Sequence, residues 1–198
     1  MLYNNHNLAV AKFAAKDGIR QEIAGVLFTK EKTAATDSIC LLEVSTDTAL
    51  KVKDYPKVQS ASAMRGFKPF IVLAEWMNKI KLPSHRFLPA LNSVAVKHIA
   101  DSKVDFLISE EGTTAQILSI PRVSGKYPDY EKIFPKSKPK AHFMINGVKM
   151  AELLKVMAAL PPLKGVEVFY YGKNKPIELR AHSDTQKSRG LIMLMKED

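Results

Sequence analysis

The stretch Gly125-Lys126-Tyr127-Pro128-Asp129-Tyr130-Glu131-Lys132-Ile133-Phe134-Pro135 follows a strand-like run and precedes a new strand–helix unit. Proline fixes φ and removes a backbone donor, so Pro128 and Pro135 punctuate a connector rather than extend a strand. Tyr127, Tyr130, Ile133 and Phe134 give that connector an unusual apolar load. Apolar side chains in this number must pack on something, so the connector is read as part of a built surface.

On either side of it the chain repeats one pattern of strand, helix and several strands, three times over. The first helix is expected over Asn7–Lys16, with Leu8, Ala11 and Ala15 at helical spacing and Asp17-Gly18 as its stop. The second runs over Leu73–Lys81, with Leu73, Met77 and Ile80 on one face and Pro83 beyond. The third runs over Gly147–Ala159, with Met150, Leu153, Leu154 and Met157 on one face, and Pro161-Pro162 ends it. Runs rich in β-formers follow each helix. They are Glu22–Thr29, Thr33–Asp37 and Cys40–Ser45; then Leu91–Ile99, Val104–Ser109 and Thr114–Val123; then Val166–Tyr171, Ile177–His182 and Gly190–Met195. Leading strands are expected at Met1–Tyr3, Phe67–Val72 and Lys140–Ile145. Thr46–Arg65 lacks a period and reads as a connector with one strand around Ala49–Val52. Repetition at this length points to a duplicated architecture.

Composition narrows the class. The chain has 198 residues, 46% hydrophobic and 25% charged, as in an ordinary globular protein. No run approaches the roughly 20 apolar residues of a membrane span. Met1–Asn7 lacks the pattern of a signal peptide. The lone Cys40 excludes an intrachain disulfide and a Cys-rich zinc site, and it reads as a small buried strand residue. These features suit a reducing cytoplasm. The five histidines are scattered without ligand spacing, and no phosphate-cradling loop or nucleophile elbow is present. No catalytic residue, metal or cofactor is therefore expected. The net charge of +10 fits a polyanionic partner and fits plain solubility equally well.

Three segments, in order, resemble the bacterial DNA polymerase sliding clamps. They are Gly18-Ile19-Arg20-Gln21-Glu22-Ile23-Ala24-Gly25-Val26-Leu27-Phe28 with Ala34-Ala35-Thr36-Asp37, the Tyr127-Pro128-Asp129-Tyr130 connector, and Gly190-Leu191-Ile192-Met193-Leu194-Met195-Lys196. The resemblance implies an α+β DNA clamp fold of three strand-helix-multi-strand repeats, with antiparallel sheets outside and helices inside. It divides the chain into a complete clamp-like domain over 1–136, holding two repeats, and a half domain over 137–198, holding one. Three departures stand out: Ser38-Ile39-Cys40 where the family usually has Gly, a variable residue and Arg, Leu194 in place of the terminal motif's Pro, and a strong positive balance where many of the family are acidic.

The resemblance further implies an apolar cleft for short linear peptides. Carried over position by position, it would use Ile23, Thr36, Leu41, Pro128, Ile133, Leu191, Met193 and Met195, with Arg20 and Lys196 at the rim. Methionines adapt to varied ligands, and an apolar groove suits a short peptide. On pattern alone, Leu191, Met193 and Met195 read better as the core positions of an alternating strand; the resemblance reverses that preference. Clamp helices face duplex DNA, which would give Lys12, Lys16, Lys79, Lys81, Lys149 and Lys155 loose phosphate contacts; the plain alternative is a solvated helix face.

The expected function is a DNA sliding clamp, a ring-shaped processivity factor that tethers a polymerase to duplex DNA and is not an enzyme. Its expected partners are DNA, the polymerase and a clamp loader. The alternative is a non-encircling peptide-binding adaptor or replication inhibitor. Clamps resemble rings of twelve helix-bearing units, so three units per chain give a cyclic homotetramer joined head to tail.

Overall fold

The structure is a computed structural model that describes residues 1–16, 20–50, 55, 67–83, 89–100, 102–110, 114–159, 165–183 and 186–195. Its contacts divide the chain into two compact units, Met1–Lys132 and Ile133–Asp198.

In the first unit, strand β1 (Leu2–Asn4) leads directly into helix α1 (Asn5–Ala9). Asn4 makes the start: its Oδ1 accepts from His6 N and Asn7 N, while Asn7 Oδ1 accepts from Asn4 N. This reciprocal cap satisfies amides that a helix start otherwise leaves open. The helix then tightens into a 3-10 turn over Val10–Phe13, and Ala14 leaves it with extended backbone. The helix expected over Asn7–Lys16 therefore starts and ends earlier. Ala15 N donates to Ile23 O at 2.9 Å, which draws the chain away from the helical path.

Strands β2 (Gly25–Phe28), β3 (Lys32–Thr36) and β4 (Leu41–Ser45) complete the first repeat. The second repeat holds β5 (Phe70–Leu73), α2 (Ala74–Met77), β6 (Ser93–Ala100), β7 (Lys103–Glu110) and β8 (Thr114–Pro121). Helix α2 is a single turn, shorter than the expected Leu73–Lys81. Lys79 N and Ile80 N bond the carbonyls three residues back, at Trp76 and Met77, so the winding tightens beyond it. That winding buries Met77 and Ile80.

The leading strands are exchanged between the two repeats. β1 pairs antiparallel with β6, and β5 with β2, giving sheets β1-β6-β7-β8 and β4-β3-β2-β5. Neither repeat can finish its sheet alone. Gly25 is where the exchange is tightest: a Cβ there would lie 2.5 Å from Ile71 Cγ2 and 3.0 Å from Val72 O. The shared core lies between them. The Phe28 ring, fully buried, stacks on Phe70 at 5.0 Å and meets Tyr3 and Phe106 edge-on at 5.0 and 5.5 Å. Those four rings come from β2, β5, β1 and β7, so both repeats supply the core. Asn7, also fully buried, donates to Val44 O and Ser45 O at 3.0 Å and ties α1 to β4.

In Thr46–Arg65, Tyr55 is buried, donates to Leu107 O at 2.7 Å and accepts from Ser109 N at 2.9 Å. Of the strand expected around Ala49–Val52, Ala49 lies in a turn, Leu50 is non-strand, and Lys51 and Val52 fall outside the described residues.

The second unit carries one repeat: β9 (Met144–Ile145), α3 (Gly147–Met157), β10 (Val166–Tyr170), β11 (Ile177–His182), β12 (Lys187–Ile192) and β13 (Leu194–Met195). Asn146 caps α3, its Oδ1 accepting from Lys149 N. Met157 closes a small core with Ile177, Leu179, Ala181 and Ile192. The single terminal strand expected over Gly190–Met195 is two strands broken at Met193: β12 edges the β10-β11-β12 sheet, and β13 turns off to pair with β9. The fold is α+β with antiparallel sheets throughout.

Candidate functional site

The connector packs on the β4-β3-β2-β5 sheet, on the face away from the main core. Val26, Phe28, Ala35, Phe70 and Val72 point one way; Leu27, Ala34, Leu41 and Ile71 point the other, as strand alternation requires. Tyr127 and Tyr130 cover that second face, their rings edge-on at 6.1 Å, both buried. Val123 N donates to Ile71 O at 2.8 Å and starts the segment along β5. Lys32 then clips it down: its Nζ bonds Glu43 at 2.7 Å, bonds Glu131, and sits 5.4 Å from the Tyr130 ring centre. These partners hold the Lys32 ammonium's pKa above its ordinary value, Glu131 first. Of the connector's other apolar residues, Ile133, a residue of the expected cleft, and Phe134 are exposed.

Among the cleft residues expected in this unit, Arg20, Thr36 and the 37–40 turn meet. Thr36 Oγ1 donates to Cys40 O at 2.7 Å, and Arg20 Nη2 lies 3.4 Å from Ser38 Oγ. Asp37 Oδ1 accepts from Cys40 N and Ile39 N, which depresses its pKa and makes it a turn residue. Cys40 is exposed at that turn, not buried in a strand as expected, because β4 begins only at Leu41. Pro128 is exposed, Leu41 is half-buried under the tyrosines, and Ile23 is 5% exposed and offers a ligand almost nothing.

In the second unit, Leu191, Met193 and Met195 are 63%, 63% and 47% exposed, so they are not core positions. They line two grooves. One, of about 460 Å³, runs between the β9–β13 pair and the end of β10, with Phe143, Met144, Tyr170, Met193 and Met195 in its wall. The other, of about 470 Å³, lies between α3 and β12, with Leu153, Val156, Leu191 and Met193. Met193, at the break between β12 and β13, belongs to both. Phe143, Met144 and Tyr170 were missed from sequence, although Tyr170 sits in the aromatic run Phe169-Tyr170-Tyr171 and Phe143 stacks on it at 5.1 Å. Lys196 lies outside the described residues.

The lysines fare unevenly. Lys12 and Lys16 are not on one helical face, since the helix has ended before Lys16, yet both line a groove of about 520 Å³ with Leu73, Glu75 and Asn78. Lys79 lies over the Trp76 ring at 3.9 Å, and Lys81 is exposed beyond α2. Lys149 pairs with Glu152 at 2.9 Å, and Lys155 is exposed in the last turn of α3. Among the described residues, no group of three or more His, Cys, Asp or Glu side chains could hold a metal. No described helix is long and apolar enough to cross a membrane.

No protein-family model and no curated protein matches the sequence. Solved structures do match it. Over 98% of its length the chain is similar to the DNA polymerase III β subunit of Borrelia burgdorferi, at a TM-score of 0.62 and 17% identity. The same share is similar to the DNA polymerase sliding clamp of Bacillus subtilis, at 0.65 and 13%, and to the β subunit of Pseudomonas aeruginosa, at 0.65 and 15%. The chain has the bacterial sliding-clamp fold. It spans about half the length of those clamps, 48%, 48% and 50%. Two of the departures from the clamp pattern, at Ser38 and Leu194, have a physical reading. Ser38, where the resemblance leads one to expect Gly, has a φ of 76° and occupies the left-handed region that favours glycine. Leu194, in place of Pro, packs against the small core of the second unit.

Proposed function

We propose that this chain is a DNA sliding clamp: a homo-oligomeric ring that holds a DNA polymerase on duplex DNA and docks partner peptides, with a clamp loader among them. The carrying observation is the exchanged two-repeat unit followed by a third repeat, in a fold whose solved neighbours are sliding clamps. Four copies of a three-repeat chain supply the twelve repeats that the resemblance implies. The mechanism is topological. Enclosure replaces tight binding, so weak, screened contacts from Lys12, Lys16 and Lys155 suffice, and sliding stays easy.

Met193 and Met195 are the proposed peptide anchors on the second unit. Both are exposed, flexible and apolar, and both wall one groove. A peptide with Gln, Leu and a terminal Leu-Phe is expected to bind with a Kd of order micromolar, about −8 kcal/mol. Titration calorimetry tests it: Met193→Ala with Met195→Ala should abolish the heat of binding while circular dichroism stays unchanged. Undiminished affinity in that variant would remove the assignment.

A further inference from the structure

We infer that the second unit pairs with the second unit of another copy of this chain, through a two-fold exchange of β9 and β10. Two open edges carry the inference. Among the described residues, β10 stands at one end of the β10-β11-β12 sheet, and β9 has β13 on one side only. The first unit shows how both edges are used in this fold. There each leading strand pairs with the first long strand of the sister repeat, β1 with β6 and β5 with β2. β5 also meets Val123 on its other side, as β9 meets β13. β9 is thus a β5 lacking its β2, and β10 is a β6 lacking its β1.

The side chains agree. Register places Val166, Val168 and Tyr170 opposite Ala181, Leu179 and Ile177, so they share the face that the core covers. Val168 is nevertheless 56% exposed and Tyr170 39%. The equivalent core-facing residues of β6 and β2, Val94, Val96, Val26 and Phe28, are at most 3% exposed, because a sister repeat lies over them.

A second copy fits both edges at once. Each copy offers one free leading strand and one free first strand, so a two-fold axis satisfies both pairings with the same operation. Such a contact is isologous and closes at two, which removes edges that would otherwise invite open-ended pairing. The short β9 is no obstacle, since β1 pairs with β6 over Leu2–Asn4 alone. The contact differs from the head-to-tail one expected from sequence. It depends on strand pairing only, so it stands or falls separately from DNA retention.

The test is light scattering of the full chain at micromolar concentration, with hydrogen exchange on the same samples. An even-numbered assembly in multiples of 22.1 kDa is expected, with amides of 144–145 and 166–170 losing protection on dilution while the first unit keeps its own. Val168→Glu with Tyr170→Glu should give a monomer with an unchanged melt of the first unit. A wild-type monomer, an odd-numbered assembly, or an oligomer that the variant leaves intact overturns the inference. If the variant fails to fold, dilution-independent protection of β9 and β10 in the wild type overturns it as well.

Discussion

Lys32→Ala removes the clip between the connector and its sheet. Lys32 opens β3, Glu43 lies on β4 diagonally across from it, and Glu131 and Tyr130 belong to the connector turn. An exposed ion pair contributes about 0.2–1 kcal/mol, and the three side chains are 23%, 34% and 57% exposed, so the Glu43 pair belongs near the top of that range and the Glu131 pair near the bottom. The ammonium over Tyr130 adds about 0.5 kcal/mol at 5.4 Å. The expected loss is therefore about 1.5–2 kcal/mol in urea melts at low salt. It should shrink in 1 M salt, where the screening length falls to about 3 Å. The pKa of Lys32 is raised on folding, so its contribution is complete below the ordinary lysine pKa of about 10.4 and is lost only above it. A double-mutant cycle with Glu131→Gln should return a coupling of a few tenths of a kcal/mol. A Lys32→Ala variant within about 0.3 kcal/mol of wild type at low salt would refute the clip.

Two further substitutions probe the fold. Ser38→Gly relieves a left-handed residue, worth roughly 1–2 kcal/mol, against roughly 0.5–1 kcal/mol of added chain entropy, so chemical melts should show a gain of about 0.5–1 kcal/mol; a loss of stability would contradict the strain. Glu178 accepts from Arg180, Tyr171 and Arg189, which pull its carboxyl down to about 2. Its stabilisation is present above the unfolded value of about 4.3 and lost as pH falls through the folded one. Thermal melts should thus place Glu178→Gln below wild type at pH 7, with the gap closing towards acid. A gap independent of pH would contradict that network.

The repeats were legible because periodicity survives folding: β11 was read to the residue, Ile177–His182, and α3 to within two residues of its end. Helices α1 and α2 were overread. Their apolar spacing continued past the point where the chain needed those residues elsewhere, Ala15 for the bond to Ile23 and Ile80 for the core. Strand exchange was not legible, since pairing partners lie far apart in sequence and alternation is the same for either partner. For the candidate site, Met193 and Met195 are found through a short terminal motif, whereas Met144 and Tyr170 come from other strands and Phe143 from the segment before β9, and they share a groove only after folding. Ile23 is an apolar residue whose type favours burial; the motif match placed it in the cleft instead.

The central claim is enclosure of DNA, and retention on closed circular duplex measures it directly. The chain is loaded on a nicked circle, washed at high salt, and the circle is then cut once. A clamp should stay with the intact circle through salt that abolishes phosphate contacts, and should leave by sliding off the ends after cutting. Salt-sensitive release that is equal from circular and linear DNA would contradict it.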